Sequence, residues 1–181
     1  NKVNAIRNLS AQRSLIVGTV GGEFVVSASG TTSPITPTNI QIQKQSSYGS
    51  ANVDAVQIEN VTMFLQRAKR KVRELTYNLN IDQYQAADMT LLAEHISEGG
   101  ITEMAYQQEP DSILWCVRSD GTLLGFTYAR AEEVVGWHRH IVGGAFGSGQ
   151  AVVESVASIP SDDNEDELYM IVKRTVNSVT R

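Results

Sequence analysis

Two histidines, His138 and His140, stand two residues apart in the strand-like run Val134–His140, so their imidazoles share one face, as a metal pair requires. No third ligand is identifiable, and strand-borne histidines beside Trp137 and Arg139 read more simply as groups that pack or hydrogen-bond between strands. The acids Asp162, Asp163, Glu165, Asp166 and Glu167 are dense enough to hold a hard cation. They lack the Gly-centred alternation of a calcium loop, which leaves a solvent-facing turn. Gly143, Gly144, Gly147 and Gly149 suggest a phosphate cradle, but a cradle needs a following helix and usually a Lys-Ser/Thr ending. Here a strand follows, and the segment reads as a connection between strands.

Arg67, Lys69, Arg70, Lys71 and Arg73 form the densest basic cluster, suited to a DNA backbone or an acidic surface. The competing reading is a solvated hairpin turn whose charges prevent edge-to-edge aggregation. Cys116, the one cysteine, is flanked by Leu114, Trp115 and Val117 and reads as a buried, inert hydrophobe. No nucleophile elbow, helical His-Glu zinc motif or redox cysteine pair is present, so no catalytic, cofactor-binding or metal residue is assigned. Glu103 and Glu154, 51 residues apart (154 − 103), read as repeated scaffold positions.

The elements that carry these residues are short aromatic and β-branched runs separated by Gly, Ser, Asn and Asp, the pattern of strands. Met63–Tyr77 aligns without a gap onto Leu114–Tyr128 at an offset of 51 (114 − 63). Each copy reads as a β-hairpin, and Ser119-Asp120-Gly121-Thr122 predicts a two-residue Asp-Gly turn in the second. A weaker relative spans Leu15–Val26, and another begins at Leu168. Extra strands are expected at Ile101–Tyr106 and Val152–Ala157, each followed by a proline-containing loop, and at Asn39–Lys44 and Val134–His140. Thr31–Pro37 and Gly143–Gly149 are loops by composition. Asp88–Ile96, opening on a capping-type Asp, predicts one short helix near 88–96.

Three to four strands per fifty residues predict an all-β chain of antiparallel sheets arranged as consecutive β-propeller-like blades, a partial propeller. The approximate repeats are 14–50, 53–100, 101–150 and an incomplete 151–181, all within a single fragment, 1–181, of a larger domain. The 181 residues are 41% hydrophobic, enough for a sizeable core, and the formal charge of −5 argues against coating nucleic acid through a net field. No run approaches the roughly 18 apolar residues of a membrane span, and Asn1–Ser10 lacks the form of a signal peptide.

Phe64–Arg67, Lys71–Leu75, Leu91–Ile96, Met104–Arg118, Asp120–Leu124 and Gly136–His140 together resemble bacteriophage and prophage tail proteins of the nozzle or tail-hub (stabilisation) type from short-tailed phages. The resemblance covers most of Leu15–Lys173. It implies a structural virion protein, made in the host cytoplasm and resident in the tail, that serves tail assembly and the retention or passage of DNA. Implied partners are other tail and portal-region proteins, further copies of itself in a ring, and non-specific contact with DNA. Proteins of this group are several times longer, so the chain is expected to hold only a few blades. The alternative is a propeller-like module that binds cell-surface glycans or a host receptor through aromatics such as Tyr48, Trp115 and Trp137. A glycosidase fragment ranks third, because converging paired carboxylates are missing.

Overall fold

A computed structural model describes residues 4–30 and 33–180. The chain divides into two compact units, Asn1–Leu91 and Leu92–Arg181.

The first unit holds two four-stranded antiparallel sheets, each a simple meander in chain order. One comprises β1 (Ile6–Ala11), β2 (Leu15–Thr19), β3 (Gly22–Ala28) and β4 (Ile40–Ser46); the other comprises β5 (Val56–Ile58), β6 (Val61–Leu65), β7 (Val72–Asn78) and β8 (Gln83–Asp88). Period-two alternation gives each sheet an apolar face, and the two faces meet in a cluster of Ile16, Val25, Phe64, Leu75 and Tyr84. Polar ties cross between the same sheets: Ser10 Oγ and Thr62 Oγ1 are 3.0 Å apart, and the Gln12 amide donates to Thr62 at 2.8 Å. Strand β6, an interior strand of its sheet, is buried at every position.

The second unit contains a third meander of β9 (Ile101–Gln107), β10 (Ile113–Arg118), β11 (Leu123–Ala129) and β12 (Val134–His140), with β12 and β9 at its edges. A small hairpin, β13 (Ala145–Phe146) and β14 (Gly149–Gln150), leads to the long ribbon β15 (Val152–Pro160) and β16 (Asp166–Lys173). A last hairpin pairs β17 (Thr175–Val176) with β18 (Val179–Thr180). The ribbon covers one face of the meander through Trp115, Val117, Leu123, Val153 and Val156. Each such side chain contributes about 1.5–3 kcal/mol by leaving water.

The architecture is therefore all-β and antiparallel, and four local expectations need correction. Over 88–96 there is no α-helix: Asp88 belongs to β8, and only Leu91–Ala93 forms a 3-10 turn. Leu91 and Leu92 are 64% and 98% exposed, so the two leucines bury nothing that would stabilise so short a helix. The hairpin at Ser119–Thr122 closes through a three-residue loop, because the Arg118 amide donates to the Thr122 carbonyl with Ser119, Asp120 and Gly121 between them. Gly121 sits at φ +81°, the left-handed position that such a loop requires. Gly143–Gly149 contains β13 and the first residue of β14, so it is not an unstructured loop. Pro160 ends β15, paired with Asp166, and does not open a loop. Of the loop expected at Thr31–Pro37, Thr31 and Thr32 lie outside the described residues.

The two aligned hairpins differ in their turns. In the first, the Gln66 amide donates to the Lys71 carbonyl, leaving a four-residue loop, Arg67–Arg70, with Lys69 at φ +63°. Met63 accordingly pairs with Glu74, whereas Leu114, which aligns with Met63, pairs with Phe126. The pairing differs by one residue between copies whose sequences align without a gap.

Candidate functional site

His138 and His140 share a face of the edge strand β12, as the alternation requires, and their Nδ1 and Nε2 atoms are 2.7 Å apart. The remaining nitrogen of His138 lies 3.1 Å from Thr127 Oγ1. The Trp115 ring meets His140 edge-on at 4.9 Å between centroids, and its indole N–H donates to Gln107 at 2.8 Å. Burial, with a smaller contribution from the neighbouring His140, holds the His138 imidazole below its ordinary value and favours its neutral form. Among the described residues no group of three or more His, Cys, Asp or Glu side chains could hold a metal ion. Gly125 lies opposite both Trp115 and His138 across the sheet, and a Cβ there would come within 2.1 Å of His138 Cε1. The pair is thus a packed histidine–aromatic cluster that needs a glycine beneath it. Trp115, expected as an exposed aromatic, is 8% exposed, because its face is the one that the β15–β16 ribbon covers.

The basic cluster does not stay together. Arg73 is buried in β7, where its guanidinium donates to Gln66 Oε1 at 2.7 Å and to the Ala86 carbonyl at 2.8 Å, and stacks on Tyr48. Lys71 donates to Asp88 at 2.7 Å. Burial works to raise the Asp88 carboxyl, but hydrogen bonds from Lys71 and Thr90 outweigh it and leave the group below the ordinary carboxylate range. Arg67, Lys69 and Arg70 remain at the exposed hairpin tip. Lys71 and Arg73 therefore serve as internal ties.

The acids are used in the same way. Asp166 accepts the amides of Gln108 and Glu109 at 2.6 and 3.1 Å, fastening the β9–β10 loop to the ribbon. Glu103 accepts Ser155 Oγ at 3.0 Å and the Val156 amide at 3.2 Å, binding β9 to β15. Glu154 instead lies 3.7 Å from Lys173 on an exposed surface, so the two acids spaced 51 apart hold different positions in space. The glycine segment lacks a helix after it and offers no anion cradle. Cys116 is fully buried, and burial drives its thiol far above the ordinary range.

Two features were not found from the sequence. Glu23 is 1% exposed and accepts hydroxyls from Ser46 and from Ser50, the latter at 2.9 Å. The alternating sequence around it gives no sign that its face is covered. The second feature is a groove of about 520 Å³ in the first unit, floored by Gln41, Gln43 and Gln45 of β4 and walled by Arg13, Tyr77 and Tyr84. The same three wall residues continue into an adjoining space of about 430 Å³. Tyr77 and Tyr84 face each other across β7 and β8 in an edge contact at 5.4 Å. Tyr77 donates its hydroxyl to Asp82, Arg13 lies 5.8 Å over its ring, and the Gln45 side-chain Oε1 accepts the Tyr84 backbone amide at 3.0 Å. Period-two spacing of the glutamines was a legible signal for one polar face, but nothing local announced the walls.

No family model and no curated protein matches the chain. Solved structures do match, among them an auxiliary nutrient binding protein from Bacteroides thetaiotaomicron, at 9% identity and a TM-score of 0.52. The match covers 97% of this chain and 46% of that one, so the chain spans less than half of that protein's length. What the two share is the fold: an all-β chain of antiparallel sheets.

Proposed function

We propose that the chain is a structural segment of a phage-tail subunit of the nozzle or hub type, built from propeller-like blades that correspond to the approximate repeats. The observation that carries the scaffold part of this reading is the use of the chemically suggestive side chains as ties: Arg73, Glu103 and Asp166 each join strands or sheets. Such groups serve rigidity, which suits a structural assembly protein. The tail identity is supported by the resemblance of stretches such as Met104–Arg118 and Gly136–His140, and the meanders suit blades. In this role the exposed tip of Arg67, Lys69 and Arg70 offers non-specific contact to phosphates, and ring assembly buries sheet edges. Mass spectrometry of purified virions and electron microscopy of the full-length protein test the reading. Tail localisation and rings are the expected result, and a strictly monomeric protein absent from tails would sink it.

A second reading is a binding module. It is favoured by the groove of the first unit and by the fold shared with an auxiliary nutrient binding protein.

A further inference from the structure

We infer that the groove between β4 and the β7–β8 hairpin binds an extended oligosaccharide. This rests on the binding reading and deepens it by naming a site and a ligand class.

The floor is a row of amides. Gln41 and Gln43, alternate residues roughly 7 Å apart on one face, and Gln45, set in the bulge where the β3–β4 register shifts, present a row of donors and acceptors along the groove. Gln45 is oriented by accepting the Tyr84 amide through its carbonyl oxygen, which leaves its amide nitrogen to donate. Ligand hydroxyls, each both donor and acceptor, match such a row.

The wall supplies a flat apolar surface for the C–H face of a sugar ring. Tyr77 is half-buried and held in place by its contact with buried Tyr84 and by its hydrogen bond to Asp82. A ring fixed before binding loses little rotamer entropy on contact. Arg13, exposed on the β1–β2 turn and lying over Tyr77, adds charge-assisted donors for hydroxyl or carboxylate oxygens.

Charge and polarity select among ligands. One cation, Arg13, against one carboxylate, Asp82, gives no field for a polyanion such as nucleic acid. A peptide would be anchored by apolar side chains in pockets, whereas amides and hydroxyls, including Ser27 and Ser29, dominate this lining.

The test is an array of neutral and acidic hexasaccharides probed with the 181-residue chain, followed by calorimetric titration of the best binder against the wild type, Arg13→Ala, Gln43→Ala and Arg139→Ala. Arg13 and Gln43 are exposed, so their variants keep the fold, as thermal melts will verify. Expected is binding weakened about tenfold by Arg13→Ala and by Gln43→Ala and unchanged by Arg139→Ala. A hexasaccharide that binds all four proteins equally overturns the groove but leaves the binding reading standing. If no hexasaccharide binds, the groove proposal is overturned. A thermal-shift screen of peptides and small metabolites then decides whether the binding reading survives, with a hit keeping it and a blank screen removing it too.

Discussion

The guanidinium carbon of Arg73 lies 3.4 Å from the centroid of the Tyr48 ring, while the same group donates to Gln66 and to the Ala86 carbonyl. A cation buried among these partners is a structural strut. Replacing it with Ala strands the Ala86 carbonyl and is expected to destabilise the protein by about 2–4 kcal/mol, with Arg73→Lys intermediate because it lacks the planar fork. Urea unfolding measures this. A variant within experimental error of wild type would show the strut to be idle.

Gly125→Ala sets a methyl group against the His138 ring, which Thr127 and His140 hold in place. A loss of about 1–3 kcal/mol is expected. The double variant Gly125→Ala/His138→Ala should be less destabilised than the sum of the singles, since removing the ring removes the clash. Additive losses would place the cost elsewhere.

Cys116 should resist alkylation at neutral pH, because burial suppresses its thiolate. Iodoacetamide labelling followed by mass spectrometry is expected to track global unfolding in denaturant, and rapid labelling of the native protein would refute the burial argument.

Asp120 accepts from Arg118 Nε and Nη2, at 2.9 and 2.6 Å, and from the Thr122 amide, and these hydrogen bonds hold its carboxyl well below the ordinary range. A depressed carboxyl adds stability that is fully present above its unfolded pKa of about 4 and is lost as pH falls toward the folded value. With the Asp120 side chain 53% exposed, solvent screening limits the contribution to under about 1 kcal/mol. Asp120→Asn should therefore lower the neutral plateau of a stability-versus-pH curve by under about 1 kcal/mol and flatten its acid limb by the same amount, as urea unfolding at pH 7 and pH 3 will read.

His138 titrates in the opposite sense from a paired histidine. Its folded value is depressed, so its contribution is present above the unfolded value of about 6.5 and is lost as pH falls through the folded one. NMR titration should find His138 below 6.5, and His140→Ala should raise it by removing the second, charge-based cause. An unmoved His138 in that variant would assign the depression to burial alone.

Strands were legible because alternation and turn residues are local: the runs at Leu15, Met63, Leu114 and Val134 each became strands. Which face of a strand is covered was not legible. Trp115 and His138 alternate correctly, but their shared face is decided by β15, which arrives well downstream in the chain. The basic run misled for the same reason, since Arg73 and Lys71 point to partners in Tyr48 and Asp88 that spacing alone does not reveal. The groove was least legible, its floor and walls coming from three separated segments.

The loops of unequal length in the two aligned hairpins carry a further consequence. A one-residue difference in pairing exchanges which side chains of the second strand sit beside those of the first. Glu74 and Gly125 occupy the same column of the alignment, yet Glu74 stands across from Met63 and Gly125 across from Trp115. Averaging the copies into a consensus, or grafting β11 in place of β7, would move each side chain to the opposite face of the sheet, against different packing partners, unless Ser119–Gly121 travelled with the graft. The exchangeable module is a whole hairpin including its turn, and any engineered array from this chain should be cut between hairpins.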